Sequence, residues 1–410
     1  MKPAKSLAHV FAQLLSWVSL GSANIEHLTP EQAKRLVTEF KGENLYLNGL
    51  TTLAANTAKA LVECKCDALI LDGLNTLDAD TAKALAEFKG YHLSFDGLTA
   101  LDADSAKALA EFKGQILSLS GLNTLDADTA RALAEFKGQC LWLDGLTTLD
   151  TDTAKALVAS TAFNGFLRDL TNVDADTAKA LAEFKGESLG LQGLTALDAD
   201  TATAIAGFRG QCLWLDGLTA LDADTAKALA EFKGHSLDLR GLTTLAPDTA
   251  TALAEFKGKD LQLSGLTNAD ADTAKALAEF KGRELWLDGL TTLDADSAKA
   301  LAGFRGAYLS LSGLTTLDAK AAKALAAAEK WNGDLSALTS LNSPDSVAIA
   351  LALATRKGPL KLPNLKKISP KTHTALLKKE DVEIPLLETL ELIPEPDGSA
   401  TDDFVIPDGF

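Results

Sequence analysis

Three tryptophan–aspartate pairs recur along the chain in the same local sequence, L-W-L-D-G-L-T. The pairs are Trp142 with Asp144, Trp214 with Asp216, and Trp286 with Asp288. The alternation of leucines with variable residues indicates a short strand, on which both members of a pair project from one face. A ring beside a carboxylate suits the apolar and basic side chains of a protein or peptide, and a ring face also stacks on sugars. We therefore expect a binding surface for a protein or peptide partner, with a carbohydrate as the alternative ligand.

The position that tryptophan occupies varies, whereas the leucines on either side of it do not. It is filled in turn by Tyr46, Ile70, Ser94, Ser118, Trp142, Phe166, Gly190, Trp214, Asp238, Gln262, Trp286 and Ser310. We expect the aromatic members to bind the partner, which adds Tyr46 and Phe166 to the three pairs. The alternative is that a block of the chain was duplicated and its tryptophans serve only as strand formers. Cys140 and Cys212 precede two of the tryptophans and favour duplication, whereas Glu284 precedes the third.

The other polar residues offer little further chemistry. One set of aspartates recurs at a constant spacing: Asp78, Asp102, Asp126, Asp150, Asp174, Asp198 and Asp222. Such a ladder could ligate Ca²⁺, but the capping of helices accounts for the same positions without a metal. The chain has 5 histidines at scattered positions, and no His–Cys metal spacing, G-x-S-x-G elbow, P-loop or dinucleotide fingerprint. We therefore predict a protein that is not an enzyme, with no catalytic residue, no metal site and no cofactor.

A repeat of 24 residues positions these side chains. Leucine recurs without an insertion or deletion at positions 50, 74, 98, 122, 146, 170, 194, 218, 242, 266, 290, 314 and 338. A representative unit runs from Gly210 to Lys233 and contains two local patterns. Residues 213–215 alternate like a strand, and residues 225–232 place leucine and phenylalanine on one stripe at helical spacing. Only a repeat array has this regularity.

Signals for the ends of each helix are also repeated. Asp222 stands where an N-cap carboxylate accepts the free N–H groups of the first turn. In two irregular copies Pro30 and Pro247 stand at the first helical position, where a missing N–H has no cost. Gly234 is expected to stop the helix in the left-handed conformation, and Gly217 to permit a tight turn after the strand.

A single unit cannot bury its own leucines and phenylalanine, so the units must stack. Stacking predicts an α/β solenoid with a parallel sheet of short strands on one face and short helices on the other. A continuous leucine and phenylalanine core lies between them. Because helices are wider than strands, we expect the sheet on the concave face and the helices on the convex face.

The unit L-x-L-x-G-L-T-x-L-D-A-D-T-A-K-A-L-A-E-F-K-G resembles a bacterial type of leucine-rich repeat. The resemblance covers about residues 28–390. It departs from the common pattern because leucine, for example Leu146 or Leu218, replaces the asparagine that usually follows the strand. The resemblance implies a solenoid used for partner recognition, and it implies neither an enzyme nor a particular ligand.

One internal copy is degenerate without a change in length. Ser160 stands where the core phenylalanine is expected, and Ala162 stands where the glycine is expected. We expect Phe163 to refill the core. The segment 159–169 is therefore a candidate for a local soft point or a ligand-facing irregularity.

The 4 cysteines argue against structural disulfides. Cys140 and Cys212 occupy the same repeat position three units apart, which is roughly 14 Å by strand spacing and too far for a bridge. Cys64 replaces the core phenylalanine of its unit and Cys66 replaces its glycine. We interpret Cys64 as a buried packing residue, and unpaired thiols favour a reducing compartment.

The sequence divides into four segments. Residues 1–42 hold the first repeat helix, preceded either by a signal peptide cleaved after Ala23 or by an amphipathic helix that caps the first repeat. Residues 43–338 form the regular array, residues 339–394 form irregular C-terminal capping repeats, and residues 395–410 form an acidic tail that we expect to be disordered. The signal-like start favours a periplasmic or secreted location over the cytoplasm, against the evidence of the thiols.

The C-terminal segment changes sign of charge along its length. Residues 356–379 contain eight Lys or Arg and no acid, and residues 380–408 contain ten Asp or Glu and no Lys or Arg. One interpretation is a solvated cap followed by a frayed acidic tail. Another is a tail that folds onto the basic cap, and a third is an anionic partner for the basic segment.

The formal charge of −17 over 410 residues arises mostly from the repeat, which contributes about −1 per copy. It disfavours nucleic acid and anionic membranes as partners of the array. We expect a monomer without a transmembrane segment that recognises a protein or peptide on its concave sheet. The alternatives are a structural or envelope protein without a specific ligand, carbohydrate binding through the Trp/Asp stripe, and a hydrolase if a pocket with paired acids exists.

Overall fold

A computed structural model describes residues 25–395 of the chain, and the chain divides into two compact units at Leu194 and Thr195. In each unit a helix and a short strand alternate along the chain, and neighbouring strands are parallel. The predicted α/β repeat solenoid is therefore confirmed. The predicted signal peptide or capping helix, and the tail beyond Glu395, lie outside the described residues. In the part of the chain that is described, none of the helices has the length and hydrophobicity to cross a membrane.

The first unit begins with a helix and carries a regular sheet. Its helices are α1 Pro30–Glu39, α2 Ala55–Leu61, α3 Ala79–Leu85, α4 Ala103–Ala110, α5 Ala127–Ala134, α6 Thr151–Ala159 and α7 Ala175–Leu181. Its strands are β1 Asn44–Tyr46, β2 Ala68–Ile70, β3 His92–Ser94, β4 Ile116–Ser118, β5 Cys140–Trp142 and β6 Ser188–Gly190. Strands β1 to β5 form one parallel sheet in which equivalent residues of successive repeats are register partners, as Leu93 and Leu117 are.

The second unit repeats this plan and then becomes irregular. Its helices are α8 Ala199–Ala206, α9 Ala223–Ala230, α10 Pro247–Ala254, α11 Ala271–Ala278, α12 Ala295–Leu301, α13 Ala319–Ala327, α14 Ser346–Ala354 and α15 Pro370–Leu376, with a 3₁₀ turn at Leu387–Thr389. Its strands are β7 Cys212–Trp214, β8 Ser236–Asp238, β9 Asp260–Gln262, β10 Glu284–Trp286, β11 Tyr308–Ser310, β12 Ser340–Leu341, β13 Leu360–Lys361, β14 Lys367–Ile368, β15 Val382–Glu383 and β16 Glu391–Leu392. Strands β7 to β11 form a parallel sheet, and the short C-terminal strands form two separate ladders, β12-β14-β16 and β13-β15.

Stacked phenylalanines form the spine of the core in each unit. Phe88, Phe112 and Phe136 lie with ring centroids 6.1–6.3 Å apart and nearly parallel planes. In the second unit the rings from Phe208 to Phe304 stack in the same way at 6.1–6.5 Å. The strand leucines pack against this spine and are fully buried. Each buried side chain contributes roughly 1.5–3 kcal/mol, but only when a neighbouring repeat supplies the other wall of its site.

The regular helices begin at an aspartate cap, and the starts of several are also bonded to the preceding repeat. The side chain of Asp222 accepts a hydrogen bond of 2.8 Å from the backbone N–H of Thr225, as predicted. Pro30 and Pro247 occupy the first helical turn, also as predicted. In several repeats the buried hydroxyl of the residue that binds the cap also donates to a carbonyl of the repeat before, for example from Ser105 to Leu77 at 3.0 Å. Local capping therefore also holds adjacent repeats together.

The predicted left-handed conformation of the glycines was wrong, although the tight turn expected at Gly217 is present. Among the described residues only Gly165 and Gly333 have a positive φ, so neither Gly217 nor Gly234 is left-handed. Helix α9 ends at Ala230 with Glu231 as its C-cap in the right-handed conformation, before Gly234 is reached. Gly234 is glycine because a Cβ there would lie 2.1 Å from Cζ of the Phe232 ring. Close packing, and not backbone conformation, explains this repeated glycine.

The prediction that the chain has no disulfide was also wrong. Cys64 and Cys66 are joined by a disulfide, while Cys140 and Cys212 are unpaired. Both bridged residues are buried, so the expected burial of Cys64 is confirmed. Because this repeat lacks the phenylalanine ring, a side chain at the glycine position has room, and the bridge occupies the space between the two positions.

Two irregular copies replace the missing phenylalanine in the same way. Phe163 is buried and meets the Phe184 ring edge-on at 5.2 Å between centroids, so the expected refilling of the core is confirmed. The sequence analysis missed its equivalent, Trp331, which is also buried. Each aromatic is followed by Asn-Gly with a positive φ at the glycine, +82° at Gly165 and +76° at Gly333. This turn replaces the strand of a regular repeat.

The acidic C-terminal segment folds against the basic one as far as it is described. Lys361 pairs with Glu383 at 3.5 Å, and Lys367 pairs with Glu391 at 2.9 Å. Both pairs join register partners in adjacent parallel strands. Up to Glu395 the structure therefore agrees with a tail that folds onto the basic cap and not with a frayed one.

Candidate binding surface on the sheet faces

Each strand repeat places three side chains on the side of the sheet opposite the core. We call these positions the first, second and third columns: the residue before the first strand leucine, the residue between the two leucines, and the residue after the second. In the repeat of β7 they are Cys212, Trp214 and Asp216, and all three are half-buried. The three columns of a unit make up its sheet face. The predicted site residues all lie in the second and third columns.

The aromatic side chains of the second column lie down on the sheet instead of standing away from it. Only Tyr46 is exposed, whereas Phe166 and the three tryptophans are half-buried. The Trp142 ring reaches the ring of His92, two repeats away, with centroids 5.7 Å apart. Ser118, in the repeat between them, is fully buried although it faces away from the core. A small residue in a neighbouring repeat therefore leaves the space that an aromatic ring of the second column occupies.

The chain supplies its own cations to two of these rings. The guanidinium of Arg168 lies 4.9 Å from the centroid of Phe166, and that of Arg240 lies 5.8 Å from the Trp214 ring. Both distances are within the range of cation–π attraction. Trp286 differs, because its ring lies 4.9 Å from the ring of Tyr308. Within residues 25–395 no lysine or arginine lies over Trp286.

The three predicted aspartates have different surroundings. Asp288 accepts hydrogen bonds from the hydroxyl of Ser310 at 2.5 Å and from the backbone N–H of Ser312 at 3.0 Å. Asp144 pairs with Arg168 at 3.2 Å through one oxygen, and its other oxygen is buried without a partner. Asp216 also has a buried oxygen without a partner. The side chains of the next repeat explain this difference in hydrogen bonding. Of the three aspartates, only Asp288 has serines beside it in the second and third columns of the next repeat.

Two carboxylates on the sheet faces are held toward their neutral form. Burial raises the pKa of Asp144, and the nearby Arg168 guanidinium opposes that rise. Burial also raises the pKa of Asp260, and the neighbouring carboxylate of Glu284 raises it further. Perturbed carboxylates of this kind are frequent at functional sites.

The residues of the first column were not among the predicted site residues. His92, Asp260, Glu284 and Tyr308 belong to it and face the same side as the predicted residues. The alternation that identified the second and third columns extends one step further back, so the signal was present. Cross-repeat contacts such as that between His92 and Trp142 had no signal in a single repeat.

Unsatisfied polar atoms are concentrated on the sheet faces. Among the described residues, ten buried side-chain nitrogen or oxygen atoms lack a hydrogen-bond partner. Six of them are in the three columns: His92 Nε2, Asp144 Oδ1, Gln192 Oε1, Trp214 Nε1, Asp216 Oδ1 and Trp286 Nε1. Buried polar groups are normally paired, so such a concentration needs an explanation.

Metal-ligand clusters and recesses are the other candidate sites in the described part of the chain. There, no group of three or more His, Cys, Asp or Glu side chains is arranged to hold a metal ion. One recess, of about 900 Å³, is lined by residues that include Cys64, Cys66 and Tyr91. The N-cap role of the aspartate ladder accounts for its hydrogen bonds, as at Asp126 and Asp150.

Comparison with known proteins gives matches of fold at low identity. No protein-family model and no curated protein matches the chain. A chain of the Toll–Spatzle complex from Drosophila is 12% identical with a TM-score of 0.40, and the match covers 84% of this chain and 55% of that one. A chain of the mouse RP105/MD-1 complex is 14% identical with a TM-score of 0.46, covering 84% and 65%. A chain of the yeast Rad7–Elc1 complex is 16% identical with a TM-score of 0.36, covering 98% and 100%. The chain spans about half the length of the Toll structure that it matches.

Proposed function

We propose that this chain is a non-enzymatic scaffold, similar to leucine-rich-repeat proteins, that binds a protein or peptide partner on its sheet faces. The observation that carries the proposal is the concentration of partnerless polar atoms in the three columns, beside aromatic rings. A buried polar group without a partner costs about 1–3 kcal/mol, and six of the ten such atoms in the described residues lie in the columns. A bound partner removes that cost when these side chains turn outward and pair with its donors and acceptors.

The aromatic residues of the second column supply the apolar part of the proposed surface. Half-buried tryptophans present one ring face outward at little entropic cost, because the sheet already restricts their rotation. Tyr46, Phe166 and the pairs named above are the residues that we propose contact the partner. The column is longer than a single contact, which fits a protein surface or an extended peptide better than a small molecule.

Affinity capture with matched variants tests the proposal. The variant Trp142→Ala/Trp214→Ala/Trp286→Ala removes the rings, and Tyr91→Ala, exposed in a loop away from the sheet face, is the control. Capture from an extract of the source cells, read out by mass spectrometry, should give proteins held by the wild type and by Tyr91→Ala and lost by the triple variant. Equal capture by all three proteins would remove the sheet face as the site. Capture abolished by added oligosaccharide would favour the carbohydrate alternative, and no capture by the wild type would favour a structural role.

A further inference from the structure

Two acidic side chains stand side by side on the sheet face of the second unit. Asp260 in β9 and Glu284 in β10 are register partners in the first column, and both are half-buried. Neighbouring strands are about 4.8 Å apart, so like charges at paired positions disfavour folding. No ion pair satisfies either carboxylate within the described residues. His235, Lys259 and Arg283 are near enough to act on Asp260 electrostatically, yet its pKa is still raised.

Two aromatic rings adjoin this acidic pair. Tyr308 is the register partner of Glu284 on the next strand, and Trp286 follows Glu284 by two residues on the same face. The centroids of the Trp286 and Tyr308 rings lie 4.9 Å apart. A guanidinium group pairs with carboxylates through its N–H fork and stacks its flat face on aromatic rings. The four side chains together therefore match an arginine side chain.

The chain itself shows this arrangement in two other repeats. Arg240 lies over the Trp214 ring and pairs with Asp238 at 2.7 Å. Arg168 lies over the Phe166 ring and pairs with Asp144. Trp286 has the ring and the neighbouring carboxylates without the arginine. The rings of Phe166 and Trp214 each have an arginine of this chain beside them, and the ring of Trp286 has none in the described residues.

The charge of this face points to a basic partner. Asp216, Asp238, Asp260, Glu284 and Asp288 all lie in the columns of β7 to β10. The basic residue in the same columns, Arg240, is already paired with Asp238 through both carboxylate oxygens. Most helices differ, because the acid of the first turn is followed by a base three residues on, as Asp224 is by Lys227, whereas helices α8 and α10 carry no such base. The sheet face of the second unit is therefore acidic and has no free cation of its own in these columns.

We propose that the sheet face at β9 to β11 binds an arginine-containing peptide segment of the partner. The guanidinium group lies against Asp260 and Glu284 and over the rings of Trp286 and Tyr308. This inference rests on the proposed function and names the chemistry of the partner at one place on the surface.

Fluorescence anisotropy with a labelled, capped peptide of alternating glycine and arginine tests the inference on the full-length protein. The matched peptide carries citrulline, which has the shape of arginine without its charge. Asp260→Asn/Glu284→Gln removes the charge pair without a change of size, and it should fold at least as stably as the wild type because a repulsion is removed. The control is Asp248→Asn/Asp272→Asn, which removes the same charge from the helices α10 and α11 of the same unit.

We expect the arginine peptide to bind the wild type and the helix control with the same dissociation constant. It should bind Asp260→Asn/Glu284→Gln at least about tenfold more weakly, and the citrulline peptide should not bind. Equal loss in both double variants would show non-specific attraction and would overturn the inference. Equal binding of the citrulline peptide would show a neutral partner and would also overturn it. If no arginine peptide binds while the triple tryptophan variant still loses its captured partner, this inference fails and the proposed function stands.

Discussion

Gly234 lies against the edge of the Phe232 ring, where a Cβ would be 2.1 Å from Cζ of the ring and 2.7 Å from the carbonyl oxygen of Gln211 in the preceding repeat. The same contacts recur in the following repeats, at Gly258 with Phe256 and at Gly282 with Phe280. The phenylalanine spine and the close approach of neighbouring repeats therefore both depend on this glycine.

Gly234→Ala should destabilise the protein by about 1–3 kcal/mol, because the added methyl group must push the ring or the neighbouring backbone aside. Urea unfolding measures the change in free energy. Gly303→Ala is the control, because a Cβ there meets a single atom at 3.1 Å, and it should change stability by less than about 0.5 kcal/mol. Equal effects of the two substitutions would contradict the packing role.

The disulfide of Cys64 and Cys66 should be replaceable by the ordinary Phe–Gly pair of the other repeats. Cys64→Phe/Cys66→Gly extends the ring stack beyond Phe88, so its melting temperature should be insensitive to a reductant. Cys64→Ala/Cys66→Ala loses the bridge and leaves a cavity, so it should be destabilised by on the order of 2 kcal/mol. Thermal unfolding ranks the two variants, and a thiol reductant should lower the melting temperature of the wild type alone. A Phe–Gly variant less stable than the Ala–Ala variant would show that this repeat packs differently from the others.

Acid should weaken the protein through its helix caps. Hydrogen bonds from backbone N–H groups, first among them those of the Thr or Ser three residues on, lower the pKa of eight N-cap aspartates. A lowered folded pKa contributes stability above the unfolded value of about 3.9, and that stability is lost as the pH falls through the folded pKa. Asp144 and Asp260 act in the opposite sense, but they are fewer.

The urea midpoint should therefore fall as the pH drops below about 4. Asp126→Asn/Asp150→Asn keeps side-chain caps that do not titrate, so its midpoint should fall less steeply over the same range. Identical pH profiles for this variant and the wild type would show that the caps do not cause the loss.

Arg356 closes the C-terminal end of the core with a buried charge. Its guanidinium donates to the carbonyls of Ala328 at 2.9 Å and Pro359 at 3.0 Å, and also to that of Trp331. Arg356→Ala leaves these acceptors without donors, at about 1–3 kcal/mol for each buried group. Hydrogen exchange should then accelerate in residues 346–376 and stay unchanged in the first unit. Lys357→Ala, at an exposed neighbour, should leave exchange unchanged throughout, and the same result for Arg356→Ala would contradict this role.

The features predicted correctly from the sequence are those that recur in every regular repeat: the period, the caps such as Asp222, the buried leucines and the parallel strands. The prediction for Gly234 was wrong because the sequence alone does not distinguish a glycine required by a close contact from one required by a positive φ. The bridge at Cys64 was not predicted because Cys64 and Cys66 were assigned to separate packing positions, and a disulfide within one repeat was not expected.

The candidate site was predicted only in part, for a physical reason. The second and third columns follow from alternation along a strand, but the position of each ring depends on the side chains of other repeats. Trp142 settles against His92 two repeats back, whereas Trp286 settles against Tyr308 in the next. Those neighbours are known only once the repeats are stacked.

The central claim is that a partner contacts the sheet face, and site-specific photo-crosslinking tests it most directly. A photoreactive residue at Gln262, on the sheet face, is compared with one at Thr251, exposed on helix α10. After irradiation in extract of the source cells, we expect one discrete crosslinked product from position 262 and none from position 251. Crosslinking at position 251 with none at position 262 would contradict the account.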